Sequence, residues 1–457
     1  MMRRREIDMT EGKLGGKILL FALPLALTGI LQQLFNAADV AVIGQLRGTD
    51  TMAAVGSNSA LISLLVNLFV GISLGTNVVI ARHTGEGDYK GIHDAVHTAI
   101  PVALIGGLFL SVIGELAAEP LLRLMDVDPR ILPLSLRYLR IYLLGLPVIF
   151  LYNFEAAIFR SRGNTRTPLF CLMLSGAINV GLNIWFVAGL GMDVEGVALA
   201  TVASNLISAS LLFVLLLHEQ SEIHLRLRDL MISEKELGMM VRIGLPAGLQ
   251  SAVFSVSNMT IQRAVNSFGP DVMAASSAAF NIEIFAYFII NAFGQACTTF
   301  VGQNLGAGRI DRCRIATRLC FLLDAAFTVG MSCLILLFGK PLLAIFNSSA
   351  AVAEFGMIRL RFLLSTEILN MLIEVLSGAM RGYGRALLPA SITVLVVCGV
   401  RITWVFTIFR AFRSFGMLMA VYPVSWVVTS AALGIAYAVM QRHLLKDPDE
   451  HAQTDAA

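Results

Sequence analysis

The sequence predicts an all-α polytopic membrane protein: twelve transmembrane helices form two six-helix lobes, related by a pseudo-two-fold axis along the membrane normal. Three observations predict this fold class. The 457 residues are 56% hydrophobic and only 14% charged, with a mean hydropathy of +0.76, whereas soluble domains carry about 25% charged residues. The apolar residues are gathered into twelve segments of at least the roughly 20 residues that cross a bilayer. The first half of the chain is also repeated in the second.

Each apolar segment is expected to be a helix, because within lipid only helices and closed barrels satisfy all backbone polar groups. The short alternating strands of a membrane barrel are absent from the sequence. The predicted spans are 17–45, 53–80, 94–117, 132–158, 168–190, 194–217, 240–265, 272–301, 315–338, 354–379, 388–409 and 415–440.

The distribution of lysine and arginine predicts the orientation. An even number of spans puts both termini on one side, and the side richer in these residues is cytoplasmic. The termini and the loops after even-numbered spans carry twenty-two of them, against six in the opposite loops. We therefore expect a multi-pass protein of the cell (inner) membrane with both termini in the cytoplasm.

Residue pairs at a nearly constant offset reveal the internal repeat. The turn RSRGNTRTP from Arg160 is matched by RGYGRALLP from Arg381, Pro24 is matched by Pro246, and Asn36 by Asn258. An even number of spans in each half makes the two halves parallel, with the transport path expected between them. The predicted organisation is an N-terminal lobe at 1–217, a cytoplasmic linker at 218–238, a C-terminal lobe at 239–445 and a disordered tail at 446–457.

The first span carries a polar face. Gln32, Asn36 and Asp39 fall at i, i+4 and i+7, so they lie on one side of the helix. An acid near the centre of a span costs about 2.5–3.5 kcal/mol and usually faces a partner or water. Asp39 is therefore either a protonated side chain satisfied by neighbouring helices or part of a cation or proton site in a transporter.

Two later spans carry polar residues at the depth of Asp39. Asn183, Thr201 and Asp39 each lie about six or seven residues from the outer end of their spans, or roughly 10 Å below the surface. Asn179 precedes Asn183 by one turn. One carboxylate, two amides and a hydroxyl would suit Na⁺ or a proton, whereas the alternative is hydrogen bonding that only joins the helices.

Several of these segments also carry a family resemblance. They are QQLFNAAD ending at Asp39, the stretch LNIWFVAGLGMDVEGVALAT, VGQNLGAG from Val301, and the two repeated turns. Over nearly the whole chain the sequence resembles the multidrug and toxic compound extrusion (MATE) family, and its bacterial NorM-like and DinF-like branches more than the eukaryotic branch. The resemblance implies the twelve-span, two-lobe fold and secondary active export.

By that resemblance, Asp39, Asn179, Asn183 and Thr201 match the coupling-cation site of the N-terminal lobe. The chain departs from the family at Asn183, where relatives often carry an aspartate. The site has therefore lost one formal charge, which favours H⁺ over Na⁺ as the coupling ion without excluding Na⁺.

The expected substrate-binding residues come from both lobes. Glu283 has no obvious partner at its depth and is expected to face the substrate, together with Gln32, Asn36 and Asn153. Glu367 and Arg401 lie at similar depths, and we expect them to form a structural ion pair.

Two further expectations concern the cytoplasmic side. Glu155 precedes Arg160 and Arg162 and is expected to pair with one of them. Histidines 83, 93 and 97 are expected in a solvated loop rather than in a metal site.

The sequence therefore predicts a secondary active multidrug efflux antiporter that exports amphipathic, cationic organic compounds in exchange for H⁺ or Na⁺. We expect a monomer whose partners are its organic substrate and the lipid bilayer, with no nucleic acid. No cofactor is expected besides the coupling ion, and no metal besides Na⁺ at the coupling site. The sequence contains neither a Walker-type GxxxxGK[ST] run nor an evident catalytic constellation, so we expect no enzyme activity.

Two classes of alternative stay open at this point. The first is a flippase for lipid-linked precursors from the same superfamily, which a strongly cationic cavity would favour. The second is a channel, which would not respond to an ion gradient with uphill transport, or an intramembrane enzyme, which would release a product.

Overall fold

The computed structural model describes residues 6–125, 127–347 and 349–446, and the regular secondary structure within these residues is entirely helical. The predicted all-α fold is confirmed for this part of the chain. The α-helices are α1 Leu14–Arg47, α2 Thr49–Glu86, α3 Tyr89–Leu124, α4 Leu132–Leu144, α5 Leu146–Ser161, α6 Arg166–Ile184, α7 Val194–Leu217, α8 Glu234–Asn266, α9 Pro270–Gly306, α10 Ile310–Leu337, α11 Gly339–Phe346, α12 Ala350–Leu364, α13 Glu367–Gly382, α14 Leu387–Thr393, α15 Gly399–Phe406, α16 Ile408–Ala411, α17 Phe415–Met419 and α18 Val421–Lys446. Two π-helical turns, Trp185–Gly189 and Val394–Cys398, extend α6 and join α14 to α15.

Within the described residues, ten helical segments are long and apolar enough to cross a membrane, or up to twelve if each of two bent pairs is one span. The bent pairs are α4 with α5, at 48°, and α12 with α13, at 43°. The upper number agrees with the predicted twelve spans. The predicted spans 132–158 and 354–379 are therefore bent pairs rather than straight helices.

The two bends have different local causes. Pro147 is the second residue of α5 and has no N–H for a helical hydrogen bond, so the helix breaks at Gly145, which lies just before α5. At the second bend, the Thr366 hydroxyl donates to the carbonyl oxygens of Phe362 at 2.7 Å and Leu363 at 3.2 Å. A side chain that bonds these carbonyls competes with the backbone and favours a bend.

The described residues divide into two compact units. Unit 1 contains those up to Ser255 together with Thr299–Ala316, and unit 2 contains Val256–Thr298 and those from Thr317 onward. The division thus passes through α8, α9 and α10. The predicted lobes follow the repeat rather than contacts, so their division, with the linker and the tail, stays a prediction. Residues 447–457 of the predicted tail lie outside the described residues.

Glycines let α2 approach the backbone of α9 within unit 1. A Cβ atom added to Gly85 would lie 1.9 Å from the carbonyl oxygen of Gln303, and one added to Gly306 would lie 2.1 Å from that of Arg82. Gly85 and Gly306 are themselves related by the repeat, since their separation along the chain equals that of the two repeated turns. This mutual approach explains why the end of α9 belongs to unit 1.

The same hydrogen bond recurs once in each unit. Asn77 Nδ2 of unit 1 donates to the Ala157 carbonyl oxygen at 3.3 Å. In unit 2, Thr298 Oγ1 donates to the Gly378 carbonyl oxygen at 3.0 Å. Along the chain, Asn77 and Thr298 are as far apart as Ala157 and Gly378. This separation is also that between the two repeated turns. The sequence repeat therefore has a counterpart in local hydrogen bonding.

The described residues before α1 form an ordered segment on unit 1. Met9 is fully buried, and its carbonyl oxygen accepts hydrogen bonds from Asn304 Nδ2 at 3.1 Å and Arg312 Nη2 at 3.3 Å. Glu6 forms an ion pair with Arg162 at 3.3 Å. Burial raises the pKa of Glu6, and the Arg162 charge opposes that rise.

Candidate functional site

A close contact between α1 and α6 sets the register of the candidate ion site. A Cβ atom added to Gly176 would lie 1.9 Å from a ring carbon of Phe35, so the aromatic ring lies directly on the α6 backbone. Asp39 follows Phe35 by one helical turn, and Asn179 and Asn183 follow Gly176 by one and two turns. The glycine therefore brings the acid and the two amides side by side.

The structure brings together all four residues of the predicted cation site. Asn183 Nδ2 lies 2.5 Å from Asp39 Oδ1, and Thr201 Oγ1 donates to Asp39 Oδ2 at 3.1 Å. Asn183 Nδ2 also lies 3.2 Å from Asn179 Oδ1. Asn179 Nδ2 in turn donates to Ser204 Oγ at 3.4 Å. The sequence reasoning missed Ser204, although it follows Thr201 by one turn on α7.

Asp39 is buried among neutral groups. Its relative exposure is 6%, and that of Asn183 is 0%. Beyond the acid, Ile43, Val187 and Val197 belong to one buried apolar cluster. The described hydrogen bonds to the Asp39 carboxyl come only from neutral donors. Because an isolated buried charge is costly, this carboxyl favours binding a proton or a cation.

One buried acceptor at the site lacks a hydrogen bond. Asn183 Oδ1 has no hydrogen-bond partner in the described part of the chain. The two ends of a side-chain amide are distinguished by their hydrogen bonds, and the N–H end of Asn183 faces an acid that, when ionised, can only accept. A protonated Asp39 can instead donate to this oxygen after the amide rotates, and a small cation can bind it directly.

An arginine at the end of α1 holds the α6–α7 connection. Arg47 Nη2 donates to the Val187 carbonyl oxygen at 2.9 Å, and Nε donates to that of Met192 at 3.2 Å. Nε also lies 3.5 Å from an Asp193 oxygen. These contacts fix the π-helical turn that follows α6 and so limit how far α6 and α7 can move from Asp39.

The predicted substrate residues of the first half are not part of this cluster. Gln32 and Asn36 are exposed on α1, whereas Asp39 is buried. The polar face read from the sequence is therefore divided between a buried acid and two exposed amides. Asn153 is half-buried, and its Nδ2 donates to the Ile149 carbonyl oxygen of its own helix at 2.8 Å.

The expectation that Glu283 lacks a partner is wrong. Arg359 binds its carboxylate with two nitrogens, at 2.5 Å from Nη2 to Oε1 and 3.1 Å from Nε to Oε2. Arg359 Nη1 also donates to Ser276 Oγ at 2.7 Å. A bidentate ion pair of this kind neutralises the charge of the acid. Arg359 lies 76 residues from Glu283, and only the packing of α12 against α9 brings the two together.

The predicted Glu367–Arg401 ion pair stays a prediction. Glu367 Oε1 accepts from Asn370 Nδ2 at 2.9 Å. Arg401 Nη1 donates to Asn258 Oδ1 at 2.8 Å, and its guanidinium carbon lies 4.7 Å from the centre of the Tyr422 ring. All of these contacts lie within unit 2.

The predicted pairing of Glu155 is wrong. Glu155 is fully buried, and neither carboxyl oxygen has a hydrogen-bond partner in the described ranges. Arg162 instead forms ion pairs with Glu6 and, at 2.6 Å, with Glu222. The spacing of acid and base along α5 is compatible with pairing, but the side chains point to different neighbours.

The expectation of a solvated loop for the histidines is wrong, because His83 lies on α2 and His97 on α3 and their exposures are 5% and 0%. His83 has one ring nitrogen 3.0 Å from Glu236 Oε2 and the other 3.2 Å from Glu86 Oε2. His97 Nε2 accepts from the backbone N–H of Arg226 at 3.0 Å. In the described part of the chain, two groups of side chains could each offer three metal-ligand atoms. One is His93, His97 and Asp229, and the other is His83, Glu86 and Asp88.

Comparisons with known proteins agree with this fold and sequence. The family model named MatE matches residues 24–185 and again 246–407, together more than half of the chain. The chain is 26% identical to the probable multidrug resistance protein YoeA of Bacillus subtilis, over 85% of this chain and 86% of that protein. It is 27% identical to the FAD transporter of Shewanella oneidensis, over 74% and 76% respectively.

The fold is also that of a solved transporter. The structure matches an outward-facing MATE transporter of the MOP superfamily with a TM-score of 0.87 and 21% identity, over 96% of this chain and 98% of the other. The two matched segments of the family model begin at Pro24 and Pro246, the two prolines that the sequence repeat pairs. The chain belongs to the MatE family, and it is a multi-pass membrane transporter of small molecules rather than an enzyme.

Proposed function

We propose that the protein is a secondary active antiporter of the cell (inner) membrane, which exports amphipathic organic compounds in exchange for protons. The observation that carries this proposal is the Asp39 carboxyl, which is buried and bonded by the neutral donors of Asn183 and Thr201. Its charge must be balanced by an ion that can arrive and leave. No cofactor beyond the coupling ion is proposed. We further propose that both termini lie in the cytoplasm and that the protein works as a monomer without a nucleic-acid partner.

The proposed ion is H⁺ rather than Na⁺ because the site has one carboxylate. Na⁺ needs several oxygen ligands, and the amide of Asn183 presents its N–H end to Asp39. A proton needs only the carboxyl itself. Its binding also lets Asp39 donate to the Asn183 oxygen that lacks a partner in the described chain. The exchange of hydrogen bonds gives a physical reason for the helices to repack when the proton binds.

The proposed substrate preference is for amphipathic cations. Glu283 does not support it, because Arg359 neutralises that acid. The support comes from Asp324 and Glu367, which are buried in unit 2 and accept hydrogen bonds from the neutral donors of Thr328 and Asn370. Gln32 and Asn36, which are exposed on α1 of unit 1, are proposed to form hydrogen bonds with the substrate.

Dye efflux from proteoliposomes tests this function. Imposing a pH gradient and a Na⁺ gradient one at a time separates the two coupling ions. Ethidium, Nile red and FAD serve as cationic, neutral and anionic probes, and FAD tests the substrate named for one relative. We expect the pH gradient alone to drive ethidium uphill. Efflux that collapses without Na⁺ at a fixed pH gradient would contradict proton coupling, and faster transport of FAD than of ethidium would contradict the cationic preference.

A further inference from the structure

Glu155 is enclosed on every side of its helix. The six residues from 154 to 159 on α5 are all buried, with exposures of 0 to 2%. Six consecutive residues point in all directions around an α-helix, so the side chain has no route by which to extend toward water. Neither carboxyl oxygen has a hydrogen-bond partner among the described residues.

The repeat shows that the fold does not need an acid at this position. Ala157 and Gly378 occupy equivalent positions, since each accepts the recurring hydrogen bond in its own unit. Glu155 and Leu376 stand at the same distance before Ala157 and Gly378, respectively. The repeat therefore pairs Glu155 with Leu376, which is 8% exposed. A leucine thus fills the equivalent place in unit 2, and the carboxyl of unit 1 is an addition that packing alone does not explain.

The described surroundings of Glu155 offer no balancing positive charge. Among the described residues, Glu155 interacts electrostatically with two titratable side chains, Tyr152 on the same helix and Cys171 on α6. Arg160, also on α5, has its described electrostatic interaction with Tyr152 rather than with Glu155. No charged side chain of α2, α3 or α7 among the described residues has an electrostatic interaction with Glu155. An ionised carboxylate in such a place would be far costlier than a neutral one, and a proton is the smallest ligand that makes it neutral.

We propose that Glu155 is a second proton-binding site of unit 1, separate from Asp39, which holds its proton while α5 stays packed. Loss of that packing would expose the carboxyl to water, where it ionises at neutral pH. Release of this proton is therefore tied to separation of the helices around α5. A role of this site in transport depends on the proposed proton coupling. The binding of a proton at Glu155 does not depend on it.

Two measurements on the full chain in lipid vesicles test the occupancy. Infrared spectra at pH 7 should contain a carbonyl band of a protonated carboxyl that Glu155→Gln removes and that exchange into deuterated water shifts. The melting temperature of Glu155→Gln should exceed that of the wild type by a margin that grows from pH 5.5 to pH 8, because only the wild type must keep a proton bound. Glu155→Leu, which introduces the side chain that unit 2 carries at the equivalent position, should behave in the same way.

Glu119→Gln is the matched control, since Glu119 is an exposed acid paired with Arg123 at 2.7 Å. It should change neither the band nor the pH dependence of melting. An unchanged band in Glu155→Gln, or a melting temperature below that of the wild type by the same amount at every pH, would overturn the proposal. Absence of proton-driven dye efflux alongside a Glu155 band would contradict the proposed function and leave this site intact.

Discussion

The amide nitrogen of Asn183 lies 2.5 Å from a carboxylate oxygen of Asp39, and the amide oxygen of Asn183 has no hydrogen-bond partner among the described residues. The same side chain therefore holds the acid at its nitrogen end and leaves an acceptor unused at its oxygen end. This arrangement links the protonation of Asp39 to the orientation of Asn183. It also explains why the identity of residue 183 should decide which ion the site accepts.

Asn183→Asp should convert the site from proton preference toward Na⁺. Two carboxylates at hydrogen-bond distance cannot both stay ionised without a bound cation or a shared proton. We expect Na⁺ to raise the melting temperature of this variant and a Na⁺ gradient to drive its dye efflux. Asn205→Asp, on α7 one turn beyond Thr201, is the control and should show neither effect. If Na⁺ changes neither the melting temperature nor the efflux of Asn183→Asp, residue 183 does not decide which ion the site accepts.

The Glu283–Arg359 pair predicts a loss of stability rather than of substrate selectivity. Glu283→Gln leaves Arg359 without its ionic partner, which for a buried pair costs about 3–5 kcal/mol. We expect a lower melting temperature, and recovery of part of the loss in the double variant Glu283→Gln with Arg359→Met. If Glu283→Gln melts like the wild type but transports cationic dyes more slowly, Glu283 faces the substrate after all.

Two glycine substitutions should have opposite effects on stability, because one glycine lies where α2 and α9 approach closely and the other has open space around it. Gly306→Ala places a Cβ atom 2.1 Å from the Arg82 carbonyl oxygen, and such overpacking costs about 1–3 kcal/mol. Gly330 lies in α10, and a Cβ atom added there would have nothing within 4 Å. Gly330→Ala should therefore stabilise the helix by up to about 1 kcal/mol. Thermal unfolding in detergent compares the two, and a tolerated Gly306→Ala would contradict the described packing.

Periodicity predicted the convergence at Asp39 well, because depth along a membrane helix follows from residue number. Asp39, Asn183 and Thr201 lie on three helices and meet where their spacing from the span ends placed them. The family resemblance supported the same set.

Side-chain direction was harder to predict. Arg359 lies on α12 and Glu283 on α9, so spacing along one helix could not show that the two side chains meet. Glu155 was assigned a basic partner from spacing along one helix, but the structure describes none. A hydrophobic pattern gives the number of spans and their faces, whereas partners across helices depend on rotation, bending and packing that no single segment encodes.

Asp39→Asn tests the central claim most directly. The variant mimics the protonated acid and should insert and melt like the wild type, because a neutral amide is cheaper to bury than an ionised carboxylate. On one preparation we would measure melting temperature, ethidium binding and ethidium efflux under a pH gradient. We predict normal melting and retained binding, with uphill efflux reduced to the level of empty vesicles. Uphill efflux at the wild-type rate by Asp39→Asn would remove Asp39 from the coupling mechanism.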